Sequence, residues 1–277
     1  MIKKWIQRFY LVLIILFLYA PIVTLMVLSF NNSRTSVKWG GFSLKWYEKL
    51  FQNETILAAL GNTLLIALLS AAIATLLGTS AAIAIHHMKK RRQSICMSIA
   101  NIPMLNAEIV TGIAFMLLFI TVGDLLAMFG IEFKMGFGTV LIGHITFNIP
   151  YVILSVMPKL KQFNRSMYEA ALDLGARESQ AFFRIMLPDI MPGVLSGFLL
   201  SFTMSLDDFV ITHFVKGLGA DTLSTLIYSE LRKGIKPEMY ALSTLMFLAV
   251  FIILLIVNLN PREKSRTNKQ ERIGVSL

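Results

Sequence analysis

The chain has 277 residues, 56% of them hydrophobic and only 15% charged, and 26 Lys and Arg against 16 Asp and Glu give a net charge of +10. Apolar residues in that proportion, gathered in runs of about 20, exceed what a water-soluble domain buries against itself and place the chain in the membrane class. The basic residues fall between the apolar runs rather than on one surface, which argues for membrane orientation and against nucleic-acid binding.

Lys3, Lys4 and Arg8 precede the first apolar run, Phe9–Phe30. It is too long for a signal-peptide core and no small-x-small cleavage site follows, so it reads as a retained helix. Segment 31–56 then brings Trp39, Trp46 and Tyr47. Such aromatics suit an interfacial belt, and Trp46 is also a candidate for holding an ammonium group by cation–π attraction. A second run, Leu57–Ile85, leads to His86, His87 and the cluster Lys89-Lys90-Arg91-Arg92, a topology anchor. The third run, Ile95–Val122, is interrupted by Pro103, Asn106 and Glu108, so its spanning part begins near Pro103. The fourth, fifth and sixth runs are Gly138–Met157, Val194–Phe214 and Met239–Leu259, and the polar tail Pro261–Leu277 reads as a loosely attached extension.

Open strands leave backbone groups unpaired in lipid, so six helices and an all-α fold follow, with residues 1–277 forming a single transmembrane domain. Of the Lys and Arg, 17 lie on the side holding both termini, loop 86–94 and loop 158–193, against nine on the other. That excess puts both termini in the cytoplasm. The lone cysteine, Cys96, excludes an internal disulfide framework and reads as a packing residue; no spacing suggests a metal site.

Loop 158–193 contains EAALDLGARESQAFFRIMLP from Glu169 to Pro188. Met167–Gly175 is predicted to form two helical turns with Ser166 as N-cap and Glu169 completing a capping box, and Gly175 is a natural stop. A second short helix, Arg177–Ile185, is predicted to end at Leu187-Pro188. Small Ala170 and Ala171 let another surface approach the backbone. The spacing Glu169-Ala170-Ala171, Gly175, Ile185, Leu187-Pro188 resembles the cytoplasmic "EAA" loop of importer-type ABC transporter permeases. In that family the loop docks on a separate nucleotide-binding subunit. The resemblance implies that Glu169, Ala170, Ala171 and Gly175 are contact positions, with Ile185, Leu187 and Pro188 completing the pattern. The chain has no G-x-x-x-x-G-K-[ST] sequence to cradle ATP phosphates, so no catalytic residue is assigned.

Carboxylates within apolar spans are costly, about 2.5–3.5 kcal/mol each, and mark functional candidates. Glu108 lies in the third run and Asp207-Asp208 in the fifth. Ser201, Ser205, Asp208 and Thr212 fall on one helical face, whereas Asp207 lies about 100° away beside Thr203. Asp207 is about 20 Å along the helix from Val194, in the outer half. No Lys or Arg lies within the six runs, so a path lined by Glu108, Asp207, Asp208, Ser201 and Ser205 favours a cationic solute. Asn106 and Thr111 can complete a polar patch near Glu108; His144 and His213 stand isolated, with no role assigned.

The stretches Ser29–Trp46, Ser201–Val215 and Tyr228–Leu242 resemble spermidine/putrescine importer permeases, nearest to the C-type of their two permease subunits. The resemblance implies a type I ABC importer permease fold with a peripheral first helix. It also implies a second homologous permease, an ATP-binding subunit (two copies) that carries the ATP-Mg, and an extracytoplasmic polyamine-binding protein, in a bacterial inner membrane. This chain itself is expected to bind no cofactor. Three alternatives remain at this point: an ABC permease for another solute, an ATPase-independent cation channel or carrier, and a membrane scaffold or receptor.

Overall fold

The computed structural model describes residues 2–35, 38–234 and 236–258, so the tail from Pro261 lies outside the described residues. Its elements are helices: α1 Ile2–Ser29, α2 Lys45–Gln52, α3 Glu54–His86, α4 Lys90–Leu105, α5 Glu108–Ala127, α6 Phe137–Gln162, α7 Arg165–Asp173, α8 Glu178–Ala181, a π-helical turn Phe182–Met186, α9 Leu187–Asp207, α10 Val210–Val215, α11 Leu223–Lys233 and α12 Pro237–Asn258. The only β pairing among the described residues is an isolated bridge, Asn31 to Phe42. Five stretches are long and apolar enough to cross a membrane: Lys4–Ser29, Glu54–His86, Glu108–Ala127, Phe137–Gln162 and Glu178–Asp207. In α12 the apolar stretch among described residues is the shorter Pro237–Ile252. The all-α expectation holds, and the six apolar runs appear as five full-length helices and this shorter one.

Two runs differ from their predicted form. Ile95–Val122 is two helices, because Asn106 and Ala107 are extended (ψ 148° and 130°) and end α4 before α5 starts at Glu108. Pro103 and the polar pair after it deprive the chain of a reason to continue the helix there. Val194–Phe214 is likewise not one helix. The helix begins earlier, at Glu178, stops at Asp207, and resumes as α10.

The chain divides into two compact units, residues 1–54 with 230–277 and residues 55–229. In the first, α12 packs against α1 and α2. The loop after α1 is built on Asn31, whose Oδ1 accepts from the Ser33 and Gly40 backbone N–H groups (3.1 and 2.8 Å) and whose Nδ2 donates to the Lys38 carbonyl at 2.9 Å. Ser29 and Tyr47 hydroxyls meet at 2.7 Å.

In the second unit α6 lies along α9, and α10 packs on α5 and α6. The α6–α9 seam is close because α9 presents Gly193, Gly197, Ser201 and Ser205 every fourth residue. A Cβ on Gly197 would sit 3.2 Å from the Val152 Cα, and one on Gly193 would sit 2.9 Å from the Ser155 carbonyl. Small residues in this spacing let membrane helices approach backbone to backbone. Below the seam a core of Val152, Val156, Leu160, Met186 and Ile190 joins α6 to the start of α9. Above it Val140, Phe147, Ile211 and Val215 join α6 to α10.

Candidate functional site: a broken helix and an exposed loop

The break between α9 and α10 is held by a buried polar network. Asp208 is extended (φ −62°, ψ 120°), and its carboxylate turns back onto α10. It accepts from the backbone N–H groups of Thr212 (2.8 Å) and Ile211 (3.3 Å) and from the Thr212 hydroxyl (2.8 Å). A carboxylate is the natural partner for the unpaired N–H groups and positive dipole end of a helix start. His144 of α6 reaches the same carboxylate, Nε2 to Oδ2 3.2 Å, with Thr212 Oγ1 at 2.8 Å. Both side chains are nearly inaccessible, 2% for His144 and 7% for Asp208.

His144 Nδ1 meets Ser205 Oγ at 2.6 Å, and Ser205 accepts from Ser70 Oγ of α3 at 3.0 Å. A consistent proton assignment has Ser70 donating to Ser205, Ser205 to Nδ1, the Thr212 hydroxyl to Asp208, and Nε2–H shared between Thr212 Oγ1 and Asp208. The network thus ties α3, α6, α9 and α10 together. Two clamps flank it. Thr139 Oγ1 donates to the Val215 carbonyl (2.6 Å), and Ser224 Oγ donates to the Asp208 carbonyl (2.6 Å).

This geometry revises the sequence reading in three ways. Ser201, Ser205, Asp208 and Thr212 do not share the face of one continuous helix, because Asp208 leaves the helix. Ser205, Asp208 and Thr212 still converge, through His144. Ser201 is fully buried in the α6–α9 seam. His144, to which the sequence reading assigned no role, is the centre of the network. Its signal was present as a lone ionisable side chain inside an apolar run, a feature that by itself marks a candidate.

The two neighbouring carboxylates part company. Asp208 is consumed by the network, whereas Asp207 is exposed and forms no hydrogen bond or ion pair among the described residues. Glu108 is exposed in the first turn of α5, with Asn106 Nδ2 to Thr111 Oγ1 3.4 Å close by. Trp46, in the other unit, is buried (3% exposed), with its Nε1 donating to the Asn31 carbonyl at 2.6 Å. Lys45 and Lys49 ammonium groups stand 4.5 and 5.3 Å from its ring centroid, occupying the cation site the aromatic face offers.

The loop after α6 is exposed. The N-cap of α7 is Asn164, not Ser166: Asn164 Oδ1 accepts from the Ser166 N–H at 3.0 Å. Asn is at least as good a cap as Ser, and starting two residues earlier lets Glu169 pair with Arg165 across one turn (2.8 Å). Gly175 adopts φ +87° and ends α7 as foreseen. Its N–H donates to the Leu172 carbonyl and that of Ala176 to Ala171 (2.9 and 3.0 Å), a Schellman closure that needs the left-handed conformation glycine allows.

Leu187-Pro188 does not end the next helix. Glu178–Asp207 runs on as 30 residues, with the π turn set just before the proline. The Leu187 N–H donates to the Phe182 carbonyl, five residues back, a widening that makes room for a ring that clashes with a regular turn. Glu169 and Ala170 are exposed, as are Gly175 and Pro188, while Ala171, Ile185 and Leu187 are half-buried. Met167, Leu174 and Phe183 add exposed apolar area, 59%, 90% and 62%. No group of three or more His, Cys, Asp or Glu able to hold a metal occurs among the described residues.

An apolar helical bundle with a capped, exposed loop between two spanning helices is the class of fold used by importer permeases. Residues 74–260 match the family model described as "Binding-protein-dependent transport system inner membrane component". The chain is 36% identical over 268 residues to the spermidine/putrescine transport system permease protein PotC of Escherichia coli K12, covering 97% of this chain and 98% of that one. It is 40% identical over 238 residues to the putrescine transport system permease protein PotI of the same organism, covering 86% and 84%. The PotC of Haemophilus influenzae is 35% identical, covering 96% and 100%.

Among solved structures, a bacterial ABC transporter importing the acidic polysaccharide alginate superposes with a TM-score of 0.72 at 20% identity, covering 95% of this chain and 98% of that one. Its complex with an alginate-pentasaccharide-bound periplasmic protein gives 0.73 at 19%, covering 94% and 95%. These confirm the fold. The chain belongs to the family of binding-protein-dependent transport system inner membrane components. It is a membrane permease subunit of a binding-protein-dependent transport system, a transport protein rather than an enzyme.

Proposed function

We propose that this permease carries polyamines, with spermidine and putrescine as the substrate class, and that residues 1–277 act as one permease domain. The observation that carries the reading is the identity of 36% and 40% with permeases named for those amines, over 97% and 86% of the chain. The exposed carboxylates agree with it. Glu108 and Asp207 are exposed acids on helices long enough to cross a membrane, and such groups favour a cation over an anion. Ser201, Ser205 and Asp208 support the path by holding α9 and α10 in place, whereas Trp46, buried and already faced by Lys45 and Lys49, braces the loop after α1 through Asn31.

A second, homologous permease completes the path, and an ATP-binding subunit in two copies supplies the ATP-Mg. That subunit docks on the exposed loop at Glu169, Ala170, Ala171 and Gly175, with Ile185, Leu187 and Pro188 aligning the loop to α9. Both termini lie in the cytoplasm of a bacterial inner membrane, following the basic-residue excess.

Reconstituted with its ATPase, second permease and binding protein, the chain is expected to drive ATP-dependent spermidine or putrescine uptake. Asp207→Asn lowers that uptake at least tenfold while the protein still assembles. Polyamine uptake without ATP, or full uptake by Asp207→Asn, rejects the reading.

A further inference from the structure

Three aromatic rings, two from one turn of the chain and a third from α11, meet immediately after the helix break. Phe209, in the break itself, lies 4.3 Å from Tyr228 of α11 and 5.1 Å from His213 of α10, centroid to centroid. His213 and Tyr228 close the triangle at 6.2 Å. The cluster faces outward: His213 is exposed and Tyr228 is 37% exposed. It is also anchored. The Leu223 N–H donates to Thr63 Oγ1 (2.8 Å) and Ser224 to the Asp208 carbonyl, which fixes the start of α11 so that Tyr228, one turn on, lands on Phe209. Asp207 is two residues from Phe209, so their Cα atoms lie within about 7 Å. Its carboxylate is exposed and makes no bond among the described residues, unlike that of Asp208.

A carboxylate beside an aromatic face is the arrangement that binds an alkylammonium. The charge attracts the ion, and the ring faces accept its N–H and N–CH₂ edges within about 6 Å of a centroid. Aromatics of an interfacial belt serve a different end and do not require a free carboxylate at their edge. We propose that Phe209, His213 and Tyr228 form an aromatic wall that, with Asp207, receives an ammonium end of the transported amine. The proposal rests on the polyamine reading above. It adds a subsite in this chain that selects primary and secondary ammonium groups over inorganic cations, because only an organic cation gains from the ring faces while leaving most of its water behind.

The test is uptake kinetics of the complete transporter in proteoliposomes, with spermidine and with putrescine, for the unaltered chain and for Tyr228→Leu, Tyr228→Phe and Phe209→Leu. Leucine keeps apolar bulk and removes the ring face; phenylalanine keeps the ring. The leucine variants are expected to raise KM about tenfold, with kcat changed far less, which corresponds to about 1.4 kcal/mol and lies within the range of a partly desolvated cation–π contact. Tyr228→Phe is expected to recover most of that loss. A KM in Tyr228→Leu within twofold of the unaltered chain overturns the wall, and so does a Tyr228→Phe as impaired as the leucine variant, since ring loss is then not the cause. An unaltered transporter that takes up no polyamine refutes the substrate reading itself, an outcome distinct from normal uptake with an unmoved KM.

Discussion

The helix from Glu178 to Val215 is interrupted twice, and the two interruptions are solved by different means. At Phe182–Met186, next to the exposed loop, the backbone absorbs the disturbance: one widened turn accommodates Pro188 and the helix continues. At Asp208, inside the bundle, the backbone leaves the helix, the Asp208 carboxylate takes up the freed N–H groups of α10, and His144 of α6 braces that carboxylate. The difference follows from access to water. Near the surface an imperfect turn costs little, because water completes the bonding. In the interior each unpaired N–H or carboxylate costs several times more, so a buried break survives only with a dedicated partner for every group.

Substitutions at the two sites should therefore differ in cost. The largest effect is expected at Asp208. Asp208→Ala leaves His144 Nε2, the Thr212 hydroxyl and two α10 N–H groups without their acceptor, a loss of about 1–3 kcal/mol for each buried donor left unsatisfied. It should be read as a lowered melting temperature of the detergent-solubilised protein. His144→Ala should cost less singly and add little to Asp208→Ala, because both act through one network. Additive losses would dissolve the network as a unit.

Gly197→Val comes next, at about 1–3 kcal/mol, because a side chain 3.2 Å from the Val152 Cα must push α6 and α9 apart. Crosslinking across the α6–α9 seam should fall in parallel with the melting temperature. On the water side, Gly175→Ala forces a side chain into φ +87°, at about 1–2 kcal/mol. That penalty stays local, so association with the ATPase subunit should weaken while the melting temperature barely moves. The smallest effect is at Arg165. Arg165→Ala removes an exposed pair with Glu169 worth about 0.3–0.5 kcal/mol, within the error of most melts. A large drop there would erase the contrast between the two sites.

Much of the site was legible before the structure. Glu108, Asp207 and Asp208 stood out because charge in an apolar run is rare, and the stop at Gly175 followed from its residue type and place. The roles within the pair were not legible. Asp207 and Asp208 are chemically identical neighbours, and only the chain's exit from the helix decides that one is buried against His144 while the other stays exposed. The N-cap moved from Ser166 to Asn164 for a similar reason: both are good caps, and the choice depends on where α6 releases the chain.

The sequence by itself determined the membrane class, the all-α fold, the presence of the apolar helices though not the ends of the third and fifth, and the loop built on Glu169 and Gly175. Those properties follow from local composition and spacing, since lipid and backbone hydrogen bonding demand long apolar helices whatever their neighbours. Tertiary structure alone decided the break at Asp208, the partnership of His144 with Ser205, Thr212 and Asp208, and the meeting of Phe209, His213 and Tyr228. These depend on which residues of distant helices come face to face. Close packing through Gly193 and Gly197 sets that relation, and no periodicity along a single helix encodes it.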